Sequence, residues 1–171
     1  VKPFRMALKA KPAMVMTAFN AIDRKPISGN KELLRELLRD KEGFDGTVIS
    51  DWGSIGQLEE QGVAADMDEA AVQAIEAGVD IDMMSPAYMF RLEELVKNGQ
   101  IPESFIDESA FRVLMMKNQL GLFENPFAGL GKSGKLTLYN RTKAYQMASE
   151  SCVLLKNEKI LPLSQKQKVI W

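Results

Sequence analysis

Histidine is absent from these 171 residues, and that absence excludes more chemistry than any other gap in the composition. Without an imidazole there is no Ser-His-Asp or Cys-His nucleophile system, no H-E-x-x-H zinc site and no histidine general base. Acid–base work is left to carboxylates, lysine, tyrosine or groups brought by another chain or domain. The single cysteine, Cys152, excludes an internal disulfide and a cysteine-based zinc cluster. It lies in the apolar run "SCVLLK", where a small buried hydrophobe is the expectation. No basic excess is present either: 22 Lys plus Arg face 23 Asp plus Glu, so no nucleic-acid partner is expected. No apolar run approaches the ~20 residues of a membrane span, and no membrane partner is expected. The opening "VKPFRMALKAKP" lacks the apolar centre of a signal peptide.

What is there is ordinary in bulk, with 46% apolar and 26% charged residues, enough for one domain with a real core. The order is more informative. Three apolar runs, "AMVMTAF" (Ala13–Phe19), "GTVIS" (Gly46–Ser50) and "VDIDMM" (Val79–Met84), are each followed by a loop and a helical pattern. The first helix, "NKELLRELLRDKEG", carries Leu33, Leu34, Leu37 and Leu38 as one stripe, with Gly43 as its stop. Its charge pattern reads as a solvated face. The second, "DMDEAAVQAIEAG", has Asp66 and Glu69 at capping-box spacing and Gly78 as its closing residue. The third, "PAYMFRLEELVKNG", and a fourth, "PESFIDESAFRVLMMKNQLG", both open on proline and end on glycine.

Strands alternating with helices of a dozen residues read as βα units of a parallel sheet covered on both faces. Three strands cannot close a barrel, which needs eight strands and about 250 residues. The fold expected is α/β: the C-terminal portion of a (β/α)8 barrel over residues 1–122. A linker with a helix, "RTKAYQMASESCVLLKN", follows over 123–165, and 166–171 would start a second α/β domain.

Several motifs carry little. "GLGKSGKL" (Gly129–Leu136) nearly spells a phosphate-binding loop, but Leu136 stands where the magnesium-binding hydroxyl belongs. Asn140 opens an N-R-T acceptor that has meaning only in the secretory pathway. Asp80 and Asp82, two apart on one strand, lack a third ligand at usable spacing, so neither metal nor cofactor is expected. The ten methionines read as gap-fillers in the core, Met16 excepted.

The stretch "GFDGTVISDWGSI" stands apart because Asp51 follows a β-type run and precedes Trp52. Asp51 reads either as a turn cap or as a catalytic carboxylate. In a parallel barrel the C-terminal strand ends line the active site, and Asp51 occupies such an end. Thr17 to Asn20 and Met83 to Ser85 end the flanking strands. A nucleophilic carboxylate must carry its charge, which takes nearby donors or cations. None is evident at the strand ends here, and they are expected on strands outside these residues. Trp52 offers a flat apolar face suited to a sugar ring, or else lines the core.

Taken with "MVMTAFNAIDRKPISGNKELLRELLRD", "AVQAIEAGVDIDMMS", "KNQLGLFENPF" and "ASESCVLLKNEKILPL", the "SDW" stretch resembles glycoside hydrolase family 3 in order along most of the chain. The likeness is greatest to the bacterial periplasmic β-glucosidase type. The resemblance implies a retaining β-glycosidase of β-glucosidase or β-xylosidase type, acting on terminal β-linked sugars of oligosaccharides. It implies Asp51 as nucleophile and Trp52, Met16 and Phe19 as lining the sugar site, with Ser85 bordering it. Phe19 stands where the family has tyrosine and so lacks a hydroxyl. The acid/base, the remaining strands and the second domain would come from outside these residues, in the same protein or another chain. The location implied is periplasmic or secreted. A non-catalytic structural piece and a nucleotide-binding loop are the alternatives. The nucleotide reading requires stabilisation by ATP with magnesium; the expected outcome is a melting temperature that does not move.

Overall fold

The computed structural model of the chain describes residues 2–127, 130 and 138–164. The chain divides into two units, Val1–Ala128 and Gly129–Trp171. In the first, helix α1 (Lys2–Leu8), which the apolar pattern does not announce, precedes strand β1 (Met14–Met16). The short strands β2 (Ala21–Ile22) and β3 (Lys25–Pro26) pair antiparallel across Asp23 and Arg24. Both turn residues have positive φ, 52° and 66°, as a type I′ hairpin turn demands. A helix with π-type character, Glu32–Lys41, leads to β4 (Thr47–Ile49). Then come α2 (Gln57–Glu60), α3 (Met67–Ala77), α4 (Ala87–Lys97) and α5 (Glu103–Gln119).

β1 and β4 run parallel, with Met14 opposite Thr47 and Met16 opposite Ile49. The expected third strand, Val79–Met84, is reduced to a single parallel bridge between Ile49 and Ile81. The reason lies in side chains that take over ladder positions. The Asp80 carboxylate accepts the Val48 amide at 2.8 Å, and the Ser50 hydroxyl accepts the Met83 amide at 2.7 Å. The amides of Asp80 and Ile81 then share one acceptor, the Val48 carbonyl. Pairing of the third segment is thus mixed backbone and side chain, and regular ladder geometry ends.

α3 follows its sequence signals closely. The Asp66 carboxylate accepts the Glu69 amide at 2.9 Å, and the Glu69 carboxylate reaches back to the Ala65 amide. Gly78 closes the helix at φ 94°, a left-handed conformation that glycine adopts without cost. One face of α3 is a row of alanines, Ala70, Ala71, Ala74 and Ala77, all buried. Small side chains let the helix, with its own Ile75, approach the core formed by Val48, Ile55, Leu58 and Val79.

The leucine stripe of the Glu32–Lys41 helix is only partly buried; Leu34 alone is in the core. Asn30 accepts the Leu33 amide at its start, and the Glu42 amide bonds five residues back to Leu37 at its end. The expected solvated face holds for Glu32, Glu36, Asp40 and Lys41, which are exposed, but not for the two arginines. Arg35 donates to the carbonyls of Glu76 and Ile75, and Arg39 to those of Gly78 and Gly46. Two guanidinium groups therefore terminate α3, where the exposed carbonyls attract positive charge. The Arg35 group also lies over the Phe105 ring at 4.9 Å.

Methionine is not the core filler expected of it. No fully buried hydrophobic residue among those described is a methionine, and Met6, Met16, Met84 and Met89 are exposed. These side chains sit at the strand ends and on helix faces that this chain leaves uncovered. In the second unit, α6 (Leu138–Glu150) ends seven residues before the sequence pattern does, and the stretch after it is not helical. Cys152 is exposed, contrary to expectation, as are Val153, Leu154 and Leu155. An apolar run is buried only if something covers it, and among the described residues of this unit nothing does. Asn157 caps a turn by accepting the amides of Ile160 and Leu161, both at 3.0 Å. The phosphate-loop-like stretch, apart from Leu130, and residues 166–171 lie outside the described residues.

The Asp80 side chain is wholly buried between Arg39 (2.7 Å) and Arg112 (2.9 Å). Removing the carboxylate takes from Arg39 its carboxylate partner, from Arg112 one of two, and from the Val48 amide its acceptor, so Asp80→Ala should cost about 3–5 kcal/mol in urea unfolding. Glu108 bonds Arg35 and Arg112 beside this pair. Burial pushes its carboxyl up, but the Arg35 bond and the charges of Arg112 and Arg35 outweigh that and hold it below 4.5. A depressed carboxylate stabilises the fold above its ordinary value and loses that contribution as pH falls through the lowered one. The urea midpoint should therefore drop on acidification below about pH 4.5, and less so in Glu108→Gln.

Candidate active site

Because β1, β4 and the Ile81 segment run parallel, their C-terminal ends share one edge. Asp51 lies two residues beyond β4, the central member, and is half-buried. One of its carboxylate oxygens, Oδ1, accepts the Trp52 amide at 2.7 Å. That bond fixes the plane of the group at the start of the turn. Its backbone is fixed as well: the Asp51 amide donates to the Thr17 hydroxyl at 3.3 Å, and its carbonyl accepts the Ser54 amide at 3.1 Å.

The turn after Asp51 is tied to the neighbouring segment. The Ser50 amide donates to the Ile81 carbonyl at 2.9 Å, and the Gly53 amide to the Met83 carbonyl at 2.7 Å. Gly53 has φ 69°, which turns the chain sharply enough to aim its amide at Met83. Met84, opposite it, holds φ 66° without being glycine, a strained conformation kept by its surroundings. Asp82, weighed with Asp80 as a metal pair, instead spends both carboxylate oxygens on the amides of Ser85 and Tyr88. Among the described residues no group of three or more His, Cys, Asp or Glu is placed to hold a metal ion.

Of the residues singled out in the sequence, Trp52 is the most exposed, at 63%. Met16 and Phe19, at and just beyond the end of β1, and Met84 are exposed too. The segments that end at this edge therefore carry, besides Asp51, four large exposed apolar residues; Met16 also lines an apolar pocket with Phe4, Leu8 and Leu37. Ser85 differs from them: it is buried, and its hydroxyl accepts the Gly56 amide at 3.1 Å. Thr17, Ser28, Ser50 and Ser54 beneath the edge are all buried. Sequence reasoning named Thr17 only as a strand-end residue and passed over the three serines, although four hydroxyl residues within five positions of a strand end or turn are a signal of local bonding.

Comparison with known proteins adds independent findings. A family model described as the glycosyl hydrolase family 3 N terminal domain matches residues 1–116. The chain is 35% identical over 171 residues to a periplasmic beta-glucosidase of Salmonella typhimurium, covering 95% of this chain and 22% of that protein. It is 41% identical over 168 residues to a putative beta-xylosidase of Formosa agariphila, covering 95% and 22%. Among solved structures, a beta-glucosidase from Listeria innocua in complex with glucose is 42% identical, with a TM-score of 0.80 over 94% of this chain and 23% of that one. The chain thus spans about a fifth of the length of these relatives.

The Gly53 turn yields a test of its own. A side chain at Gly53 would meet no atom within 4 Å, so only the left-handed backbone opposes one. Gly53→Ala should therefore cost about 1–2 kcal/mol in chemical denaturation, the price of that conformation alone.

Proposed function

Since the chain belongs to glycosyl hydrolase family 3, we propose that it carries the nucleophile-bearing part of a retaining β-glycosidase of β-glucosidase or β-xylosidase type. On this reading residues 1–122 are three βα units at the C-terminal side of a (β/α)8 barrel. Residues 123–165 are a linker, and 166–171 open a second α/β domain. The remaining strands and that domain belong to the same protein or to a partner chain. The substrate is a β-glycoside or oligosaccharide with a terminal β-linked sugar, and the setting is periplasmic or secreted.

The observation that carries the reading is the half-buried Asp51 carboxylate, pinned by the Trp52 amide two residues beyond the end of β4, on an edge whose segments also carry exposed apolar residues. In the first step an Asp51 oxygen bonds the anomeric carbon while the glycosidic C–O bond breaks. The leaving oxygen takes a proton from a carboxylic acid outside these residues. Water then attacks the glycosyl-enzyme, giving its proton to that same residue and releasing the carboxylate of Asp51. Two inversions leave the sugar's configuration retained. Trp52, Met16 and Phe19 supply apolar surface for the C–H faces of the sugar, and Ser85 borders the pocket by bracing Gly56 rather than by touching substrate. No cofactor is called for.

The same Trp52 bond also suits the plainer reading of Asp51 as a turn cap, and one experiment separates the two. The complete protein is treated with a 2-deoxy-2-fluoro-β-glycosyl inactivator, digested and analysed by mass spectrometry. The sugar adduct is expected on the peptide containing Asp51; an adduct on a different carboxylate rejects the assignment. The 171-residue chain alone, which lacks the acid, should neither turn over aryl β-glycosides nor be labelled at a measurable rate.

A further inference from the structure

Thr17, Ser28 and Ser54 come from three separate segments, the end of β1, the turn after β3 and the loop after β4. Their hydroxyls form one chain: Thr17 Oγ1 lies 2.9 Å from Ser28 Oγ, and Ser28 Oγ lies 2.8 Å from Ser54 Oγ. All three residues are buried, with exposures of 3%, 1% and 4%. The two end residues of this chain both bond the backbone of Asp51, one on each side of its Cα. Thr17 Oγ1 accepts the Asp51 amide, and the Ser54 amide donates to the Asp51 carbonyl.

We propose that Thr17, Ser28 and Ser54 are positioning residues that clamp the Asp51 backbone, and through it aim the carboxylate at the sugar; this role rests on Asp51 being the nucleophile. Three buried hydroxyls in series are a poor way to fill space, because each must find a partner or lose hydration uncompensated. Once linked, they polarise one another and hold their positions more firmly than separate pairs. Ser28 sits at the middle, its hydroxyl bonded to those of Thr17 and Ser54, so both links run through it. Its own segment is closely packed: a side chain at Gly29, beside it, would come within 3.3 Å of Gln73 and into ordinary contact with Leu58. The clamp therefore couples the nucleophile to the packed interior through hydroxyls, while the carboxylate itself stays clear of them.

The longest link, 3.3 Å from the Asp51 amide to Thr17, is the one the other two support. A nucleophile that drifts by about 1 Å forfeits on the order of 10²-fold in rate. Such a drift affects the reaction more than sugar binding, because Trp52 and the other apolar side chains stay in place.

The test uses the complete enzyme, with the adduct located in the wild type as above. In Thr17→Val, which keeps shape and loses the hydroxyl, kcat and the rate of 2-fluoro-glycosyl inactivation should fall on the order of 10²-fold with KM nearly unchanged. Thr17→Ser should recover most of that loss, and Ser28→Ala should show a smaller fall of the same kind. Wild-type rates in both Thr17→Val and Ser28→Ala overturn the clamp, as does a loss that Thr17→Ser fails to recover. Should Thr17→Val not fold, Ser28→Ala and Ser54→Ala decide by the same criterion. A wild-type adduct on some residue other than Asp51 overturns the nucleophile assignment, and the clamp's role with it.

Discussion

The Asp80 carboxylate, sealed between the guanidinium groups of Arg39 and Arg112, is the interaction on which the rest of the first unit depends. It joins four elements at once: the Glu32–Lys41 helix through Arg39, α5 through Arg112, β4 through the Val48 amide, and its own segment after α3. A buried ion pair of this kind adds little net stability over a well-packed apolar substitute, yet breaking it by halves is costly. Its value lies in register. With Asp80 locked to Val48, Ile81 falls opposite Ile49, and Met83 falls where Ser50 and Gly53 bind it.

From that register the candidate site follows. Regular pairing stops at Ile49, and backbone groups just beyond it are taken up by hydroxyls and by one another across the strand ends. On the segments that meet at this edge, Thr17, Ser28, Ser50 and Ser54 are buried and bonded, while Trp52, Met16, Phe19 and Met84 are exposed. Asp51 stands on the boundary between the two. A carboxylate there is held rigidly by its backbone and still meets what approaches from outside, which is the arrangement a nucleophile requires.

Some of this was legible in the sequence because the signals were local. Asp66, Glu69 and Gly78 bound α3 as their spacing predicts, and the strand-end position of Asp51 follows from "TVISD". What escaped depends on residues far apart in sequence. Asp80 looked like half of a weak metal pair because its partners, Arg39 and Arg112, lie 41 and 32 residues away. The "ELLRELLRD" pattern gave no hint that Arg35 and Arg39 turn inward to end α3. The hydroxyl chain was invisible for the same reason, since Ser28 and Ser54 are 26 positions apart. Cys152 and most of the methionines are exposed because apolar character predicts burial only where a covering surface exists, and the described residues do not supply one there.

The central claim is that the aspartate ending β4 forms the bond to the sugar. Its most direct test is a crystal structure of the complete enzyme after reaction with a 2-deoxy-2-fluoro-β-glycosyl fluoride. Continuous density from the anomeric carbon to an Asp51 carboxylate oxygen, with the Trp52 indole against the sugar, is the predicted result. A sugar bonded to any other side chain, with Asp51 folded back onto its own loop, would contradict it.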